Sequence, residues 1–166
     1  MARMVKAYLT ISLLLSMFFL TSCVGNQRVD KKDIQNNAEQ MMECIVDSNS
    51  EGLFDYFNKD MKDNYSDQTL QEIGTLFDYI DGEIVSYEYK GPGGGEENKH
   101  DGKIYYYNCY PKFEITTDAE KTYTIEFSYN YIWDEHPEYE GVDMIFIRED
   151  NDYDTELFIG RNYYKD

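Results

Sequence analysis

Cations are scarce in this sequence: 15 Lys and Arg stand against 33 Asp and Glu over 166 residues. That balance excludes nucleic acid as a natural partner, because binding it requires cations that displace phosphate counterions. The same field repels anionic lipid headgroups and wall polymers. Histidine is limited to His100 and His136, and no zinc-type spacing connects them. Both are read as solvated loop residues. The apolar run Ala7 to Leu20 is only 14 residues long, short of the roughly 20 that a helix needs to cross a hydrocarbon core. It is therefore not a stable transmembrane anchor. No internal repeat is visible.

What is present begins at the N-terminus, where Arg3 and Lys6 precede the apolar run and Leu20-Thr21-Ser22-Cys23 closes it. This is a secretory signal in three parts. Its last four residues resemble the bacterial lipobox, which implies cleavage between Ser22 and Cys23 and a diacylglycerol on the Cys23 thiol. The thiol acts as nucleophile toward the lipid donor, and the small Thr21 and Ser22 let the peptide fit the peptidase. One acyl chain binds a bilayer only marginally at about 0.8 kcal/mol per buried CH₂, so the two chains on Cys23 make the anchor lasting. The expected division is 1–22 signal peptide, 23–32 lipidated tether and 33–166 a single α+β domain. Without its first 22 residues the chain keeps 13 Lys and Arg against 33 Asp and Glu, a balance of −20. Cys44 and Cys109 then face an oxidising compartment. Two outcomes stand for them: a disulfide, if the fold brings their Cα atoms within about 7 Å, or two buried free thiols.

Ile34, Ala38, Met41 and Ile45 recur at helical spacing and predict a helix ending near Asp47. Ser48-Asn49-Ser50-Glu51 has the form of a capping box, and a short helix from Ser50 to Asn58 is expected to follow. After a polar loop, Ser66 reads as a cap for a third helix carrying Leu70, Ile73, Leu76, Phe77 and Ile80, which Gly82 stops in a left-handed conformation. The period then changes to two. Strands are expected over Glu83–Lys90, Ile104–Thr117 with a bend at Pro111, Thr122–Trp133, Asp143–Arg148 and Leu157–Ile159. The glycine-rich stretch from Gly91 to Gly102 reads as a loop.

Helices followed by a meander of long strands, together with the text Leu76-Phe77-Asp78-Tyr79-Ile80-Asp81-Gly82-Glu83-Ile84-Val85-Ser86-Tyr87, the glycine-rich loop, Glu114-Ile115-Thr116-Thr117-Asp118 and Gly141-Val142-Asp143-Met144-Ile145, resemble an uncharacterised family of Gram-positive lipoproteins. That family is assigned a nuclear-transport-factor-2-like (cystatin-like) cone, and the likeness spans residues 33 to 150. It implies export, lipidation and three N-terminal helices packed in a strongly curved antiparallel sheet of four to six strands. It implies no catalytic residue. The tyrosine content, 17 residues, departs from the pattern.

The remaining candidates for chemistry are sparse. The acidic run Glu149 to Glu156 suggests an oxygen cage for Ca²⁺, but counting from Asp150 the calcium-loop pattern meets Thr155 where Gly is required and Arg161 where Glu is required. A weak calcium site stands there against a solvated charged hairpin, and no other metal or cofactor is expected. Gly91 to Gly95 lacks the following Lys-Ser or Lys-Thr of a phosphate cradle. Nine tyrosines fall between Tyr87 and Tyr131, and alternation sends them to both sheet faces. A tyrosine hydroxyl converging with Glu114 or Glu126 inside the cone would be an acid–base pair, whereas a tyrosine-lined outer face would bind sugar or protein.

The leading expectation is a non-catalytic binding or interaction module, held by lipid at Cys23 on the extracytoplasmic face of a bacterial cell membrane, with an unknown protein or carbohydrate ligand. A cone-type small-molecule enzyme or carrier is the alternative. The charge adds a third, a neutralising partner of a basic exported toxin or peptide.

Overall fold

A computed structural model describes residues 29–150 and 155–161. Four α-helices come first: α1 (Lys31–Val46), α2 (Ser50–Phe54), α3 (Lys59–Asn64) and α4 (Ser66–Tyr79). Seven strands follow: β1 (Ile84–Gly91), β2 (Glu97–His100), β3 (Lys103–Cys109), β4 (Lys112–Thr117), β5 (Thr122–Trp133), β6 (Gly141–Glu149) and β7 (Glu156–Gly160), with a 3-10 turn at Pro137–Tyr139. The fold is α+β, with one large antiparallel sheet.

The helix count is four among the described residues, not three. The added one is α3, in the stretch read as a polar loop. Asn58 caps it, its Oδ1 accepting from the Met61 amide at 2.9 Å, and Met61 is its one buried residue. A single apolar position has no period to read. The predicted capping box also fails: Ser48 sits at φ 50, and Asn49 caps α2 instead by accepting from the Gly52 amide at 3.0 Å. Ser66 is the first residue of α4 and not its cap, because α3 and α4 share Tyr65 as their boundary. Helix α1 begins at Lys31, capped by Asp30. Gly82 takes the left-handed conformation expected of it, at φ 92.

Strand β5 organises the sheet. On one flank its first half pairs with β4 and its second half with β3, while β6 runs along the other flank and carries β7. Strands β1 and β2 extend β4 and β3 respectively. The sheet exceeds the expected four to six strands because β2 forms inside the stretch read as a loop, and because the long Ile104–Thr117 segment divides at Tyr110-Pro111. Proline has no amide to donate, and its carbonyl instead accepts from Phe127 at 3.0 Å.

The buried stripes of α1 (Ile34, Ala38, Met41, Met42, Ile45) and α4 (Thr69, Ile73, Leu76) meet one face of the sheet. Phe113, Ile115, Ile125 and Phe127 fill the space between, joined by Val142, Ile145, Ile147 and Ile159. A two-bond clasp locks the helical half to the sheet: Asn58 donates its amide to the Val142 carbonyl and Val142 donates to Tyr56, both at 2.9 Å. Gly141 permits that approach, since a Cβ there would lie 2.9 Å from the Asn58 backbone and its φ is 122. No helix among the described residues is long and apolar enough to cross a membrane.

Candidate binding site

The end of β5 is where aromatic side chains gather around Trp133. In the β3–β5 ladder Tyr106 opposes Trp133, Tyr107 opposes Ile132 and Asn108 opposes Asn130, with a register shift between Tyr107 and Asn108. Tyr131 is therefore an extra residue, a bulge. Directly opposed residues share a sheet face and residues two apart along β3 do too, so the bulge moves Trp133 onto the face of Asn108 and Asn130, away from the helices. Strict alternation would have placed it with Tyr129 and Tyr131.

Beyond Trp133 the chain folds back over that outer face. His136 donates its amide to the Trp133 carbonyl at 2.9 Å, Pro137 starts the 3-10 turn, and Glu140 returns a carboxylate to the Trp133 amide at 2.9 Å. Asn130 donates from Nδ2 to the Tyr139 carbonyl at 3.2 Å. The result is a ring cluster with Trp133 at its centre, 5.1 Å from Tyr106, 5.5 Å from His136 and 5.4 Å from Tyr139 between centroids. None of the three lies parallel to the indole: the interplanar angles are 71°, 87° and 55°.

A cleft of about 220 Å³ opens beside the indole, lined by Glu96, Asn98, Tyr105, Tyr106, Trp133 and Glu135. A second hollow of about 550 Å³ shares Tyr105 and Glu135 with it and adds Lys99, His100, Lys103 and Asp134. Tyr105 is 36% exposed. The lysines of this groove are committed: Lys99 pairs with Glu97 at 2.6 Å and Lys103 pairs with Asp134. Aromatic faces beside amide and carboxylate groups, with little free positive charge, make a surface for a ligand that is partly apolar and rich in hydrogen-bonding groups.

The other sequence candidates fall elsewhere. Ser22 and Cys23 lie outside the described residues, as does the centre of the acidic run, 151–154. Among the described residues no group of three or more His, Cys, Asp or Glu is arranged to hold a metal. Cys44 and Cys109 are both free thiols. Burial pushes the Cys109 thiol up to about 12, and burial followed by the carboxylates of Asp47, Glu43 and Asp55 raises that of Cys44. Neither is a ready nucleophile. Glu114 and Glu126 lie on the face opposite Phe113, Ile115, Ile125 and Phe127 by alternation, ion-paired with Lys90 at 3.5 Å and Lys112 at 3.7 Å. They do not meet a tyrosine hydroxyl in the interior. His100, at the end of β2 beside Asp101 at 3.4 Å, and His136, in the turn after β5, are both exposed, and the His136 ring also meets Trp133. On the helix-facing side Tyr129 and Tyr131 stack at 4.1 Å, and Tyr131 donates to the Ile34 carbonyl at 3.4 Å. Burial raises the hydroxyl pKa of both.

Sequence reasoning missed a buried polar node beneath the 3-10 turn. Asp143 is 2% exposed and occupies the bulge where Ser128 pairs with Met144 and Tyr129 with Val142. Burial raises its carboxyl to about 6, against the lowering effect of hydrogen bonds from Ser128, its own amide, Asn130 and Met144. Asp143 Oδ1, Asn130 Oδ1 and Asn58 Nδ2 are buried without a hydrogen-bond partner among the described residues. The only advance signal was an acid between Val142 and Met144 in an apolar strand.

A family model described as Domain of unknown function (DUF5104) matches residues 40–154. No curated protein matches the chain.

Proposed function

Since the chain belongs to the DUF5104 family, whose description assigns no activity, we propose on physical grounds that it is a non-catalytic binding module carried outside a bacterial cell membrane by lipid on Cys23. In this reading residues 1–22 are the cleaved signal, 23–32 the tether, and the helix-backed sheet a nuclear-transport-factor-2-like cone whose outer face meets the ligand. The observation that carries the reading is the groove beside Trp133, where Tyr105 and the indole border a cleft flanked by Glu96, Asn98 and Glu135. The packed interior supports binding on the outside over chemistry on the inside. Phe113, Phe127, Ile115 and Ile125 occupy the space a cone enzyme would reserve for substrate. Glu114 and Glu126, its proposed acids, hold lysines on the other face.

Two measurements test the proposal separately. Cys23→Ala is expected to move the protein out of the membrane fraction and to change its mobility on a denaturing gel. Retention in membranes with unchanged mobility overturns the anchor. Full-length protein in detergent is expected to co-sediment with isolated cell-envelope material, and Trp133→Ala to cut the retained fraction at least about tenfold, equivalent to 1.4 kcal/mol. Equal retention of the two proteins removes the groove from the function.

A further inference from the structure

We infer that the corner where α1 and α4 end beside β1 docks an extended basic segment of a partner protein, which pairs as an added strand with the free edge of β1 and sets apolar side chains in the hollow between the two helix ends. This site is separate from the groove beside Trp133 and depends on neither that groove nor the lipid anchor. Three observations carry it.

The first is an open edge. Strand β1 pairs with β4 on one side and borders the sheet on the other. Between the register shifts at Ile84/Ser86 and Tyr89/Gly91, residues 86–89 run in regular register against 113–116. Alternation sends successive side chains to opposite faces, yet residues 85–88 are all exposed, so no other element covers this stretch. Among the described residues, no backbone hydrogen bond from outside the ladder reaches residues 85–89. Such a row of unpaired amides and carbonyls is a template for another extended chain. The bulges at either end confine the pairing to a short segment.

The second is an apolar hollow of about 380 Å³ at the start of β1, walled by Ile45 and Val46 of α1, Phe77 and Ile80 at the end of α4, and Ile84. Val46 is 40% exposed, Val85 62% and Tyr87 40%. Val46 lines the hollow itself, and Val85 and Tyr87 continue from Ile84 along β1. Single apolar residues on a surface carry no message, but three that adjoin one hollow and one open edge mark a place for a partner.

The third is charge. Helices α1 and α4 both end at the hollow, which places the negative ends of two helix dipoles there, and neither has a basic residue in its last turn. Glu83 is the one charged side chain lining the hollow. Lys90 and Lys121, the lysines nearest β1 in the ladder and the following turn, are held by Glu88 and Glu114 and by Asp81 and Glu149. A lysine or arginine completes this field, whereas an acidic segment is repelled and a second copy brings the same sign to the same place. The chain's own flanks lie elsewhere. Val29 precedes the start of α1, a 16-residue helix that is about 24 Å long, and Arg161 sits over Tyr65 at the start of α4.

The test uses a fluorescein-labelled octapeptide of alternating lysine and valine, titrated with the full-length protein in a non-ionic detergent and read by anisotropy. Saturable binding is expected, with a Kd of about 0.1 mM or tighter that weakens as salt is raised. Replacing every lysine of the peptide by glutamate abolishes it. Methylating every peptide nitrogen keeps the charge and the side chains but removes the strand donors, and weakens binding at least about tenfold. Val46→Lys does the same from the protein side. Its position is exposed, and a cation in the last turn of a helix suits the dipole, so the fold is retained. Glu83→Lys acts in the same direction. Equal binding of the methylated peptide shows attraction by charge alone and overturns the inference. No saturable binding at about 1 mM protein, ten times the expected Kd, overturns it too, as does binding that survives Val46→Lys and is lost in Trp133→Ala. A dimer of the protein alone in sedimentation equilibrium, dissolved by Val46→Lys, puts a second copy in the corner and overturns the basic partner.

Discussion

Replacing Phe127 with Ala is expected to lower the free energy of unfolding by about 3–5 kcal/mol, the range for deleting a buried phenyl ring. Phe127 is fully buried near the middle of β5. Phe113 on β4 meets it edge-on, at 6.2 Å and 83°. Its neighbours on the same face, Ile125 and Tyr129, and the cross-strand Ile145 are fixed by the ladder, so they cannot move in to fill the space. The loss therefore includes a cavity cost as well as the transfer cost. Against a total stability of about 5–15 kcal/mol for a domain, a change of this size takes up about a fifth or more. Urea denaturation reads it as a fall in the midpoint with an unchanged slope. A fall of less than about 1 kcal/mol would show that the helices do not close over this part of the sheet. Retained binding of the variant at low urea would separate the core from the outer groove.

The long elements were legible because their buried faces repeat. Helix α1 declares itself in Ile34, Ala38, Met41 and Ile45, and β5 is bounded as its composition predicts, from Thr122 to Trp133. Short elements and interruptions were not. Helix α3 rests on a cap and a single methionine, and β2, with Glu97, Asn98, Lys99 and His100 all exposed, carries no apolar residue to mark it. Strand β2 exists because β3 offers it an edge, which is tertiary information. The candidate site suffers most from this, since it is assembled by a bulge. Tyr131 is inserted without a sequence signature, and the insertion reverses the face of Trp133. Alternation alone would have buried the indole against the helices. His136 is exposed in a turn, as its polar surroundings Asp134, Glu135 and Glu138 indicate, but nothing in them showed that its ring also meets Trp133. The strand tyrosines drew attention to the sheet faces, but nothing in their alternation pointed to the lone tryptophan as the centre of a ring cluster.

Asp143→Asn is expected to stabilise the protein at neutral pH and to remove much of the pH dependence of its stability. The Asp143 carboxyl lies in a bulge, nearly sealed from water, and no ion pair among the described residues reaches it. Arg161 comes close through its backbone, donating to the Asp143 carbonyl at 2.9 Å, but its guanidinium sits over the Tyr65 ring at 3.7 Å. With burial as the dominant influence, the folded pKa rises to about 6 from an ordinary 3.8. Below the ordinary value both folded and unfolded chains hold the proton, and Asp143 contributes no pH dependence. Between the two values the folded chain binds the proton more tightly. Stability therefore falls as pH climbs from about 4 through about 6, by on the order of 3 kcal/mol in total. Asparagine cannot ionise and escapes that loss. Its carbonyl keeps an acceptor for Ser128 and the backbone amides, and its amide finds Asn130 Oδ1, which has no partner among the described residues of the parent. The many surface carboxylates also repel one another more as pH rises, but they do so equally in both proteins. The difference between the two unfolding curves isolates this one group. Urea denaturation at pH 4, 6 and 8 should show the variant ahead at pH 8 and the gap narrowing to nothing at pH 4. Parallel curves would mean that Asp143 is charged and well solvated in the folded protein, and that the turn beneath Trp133 is open to water.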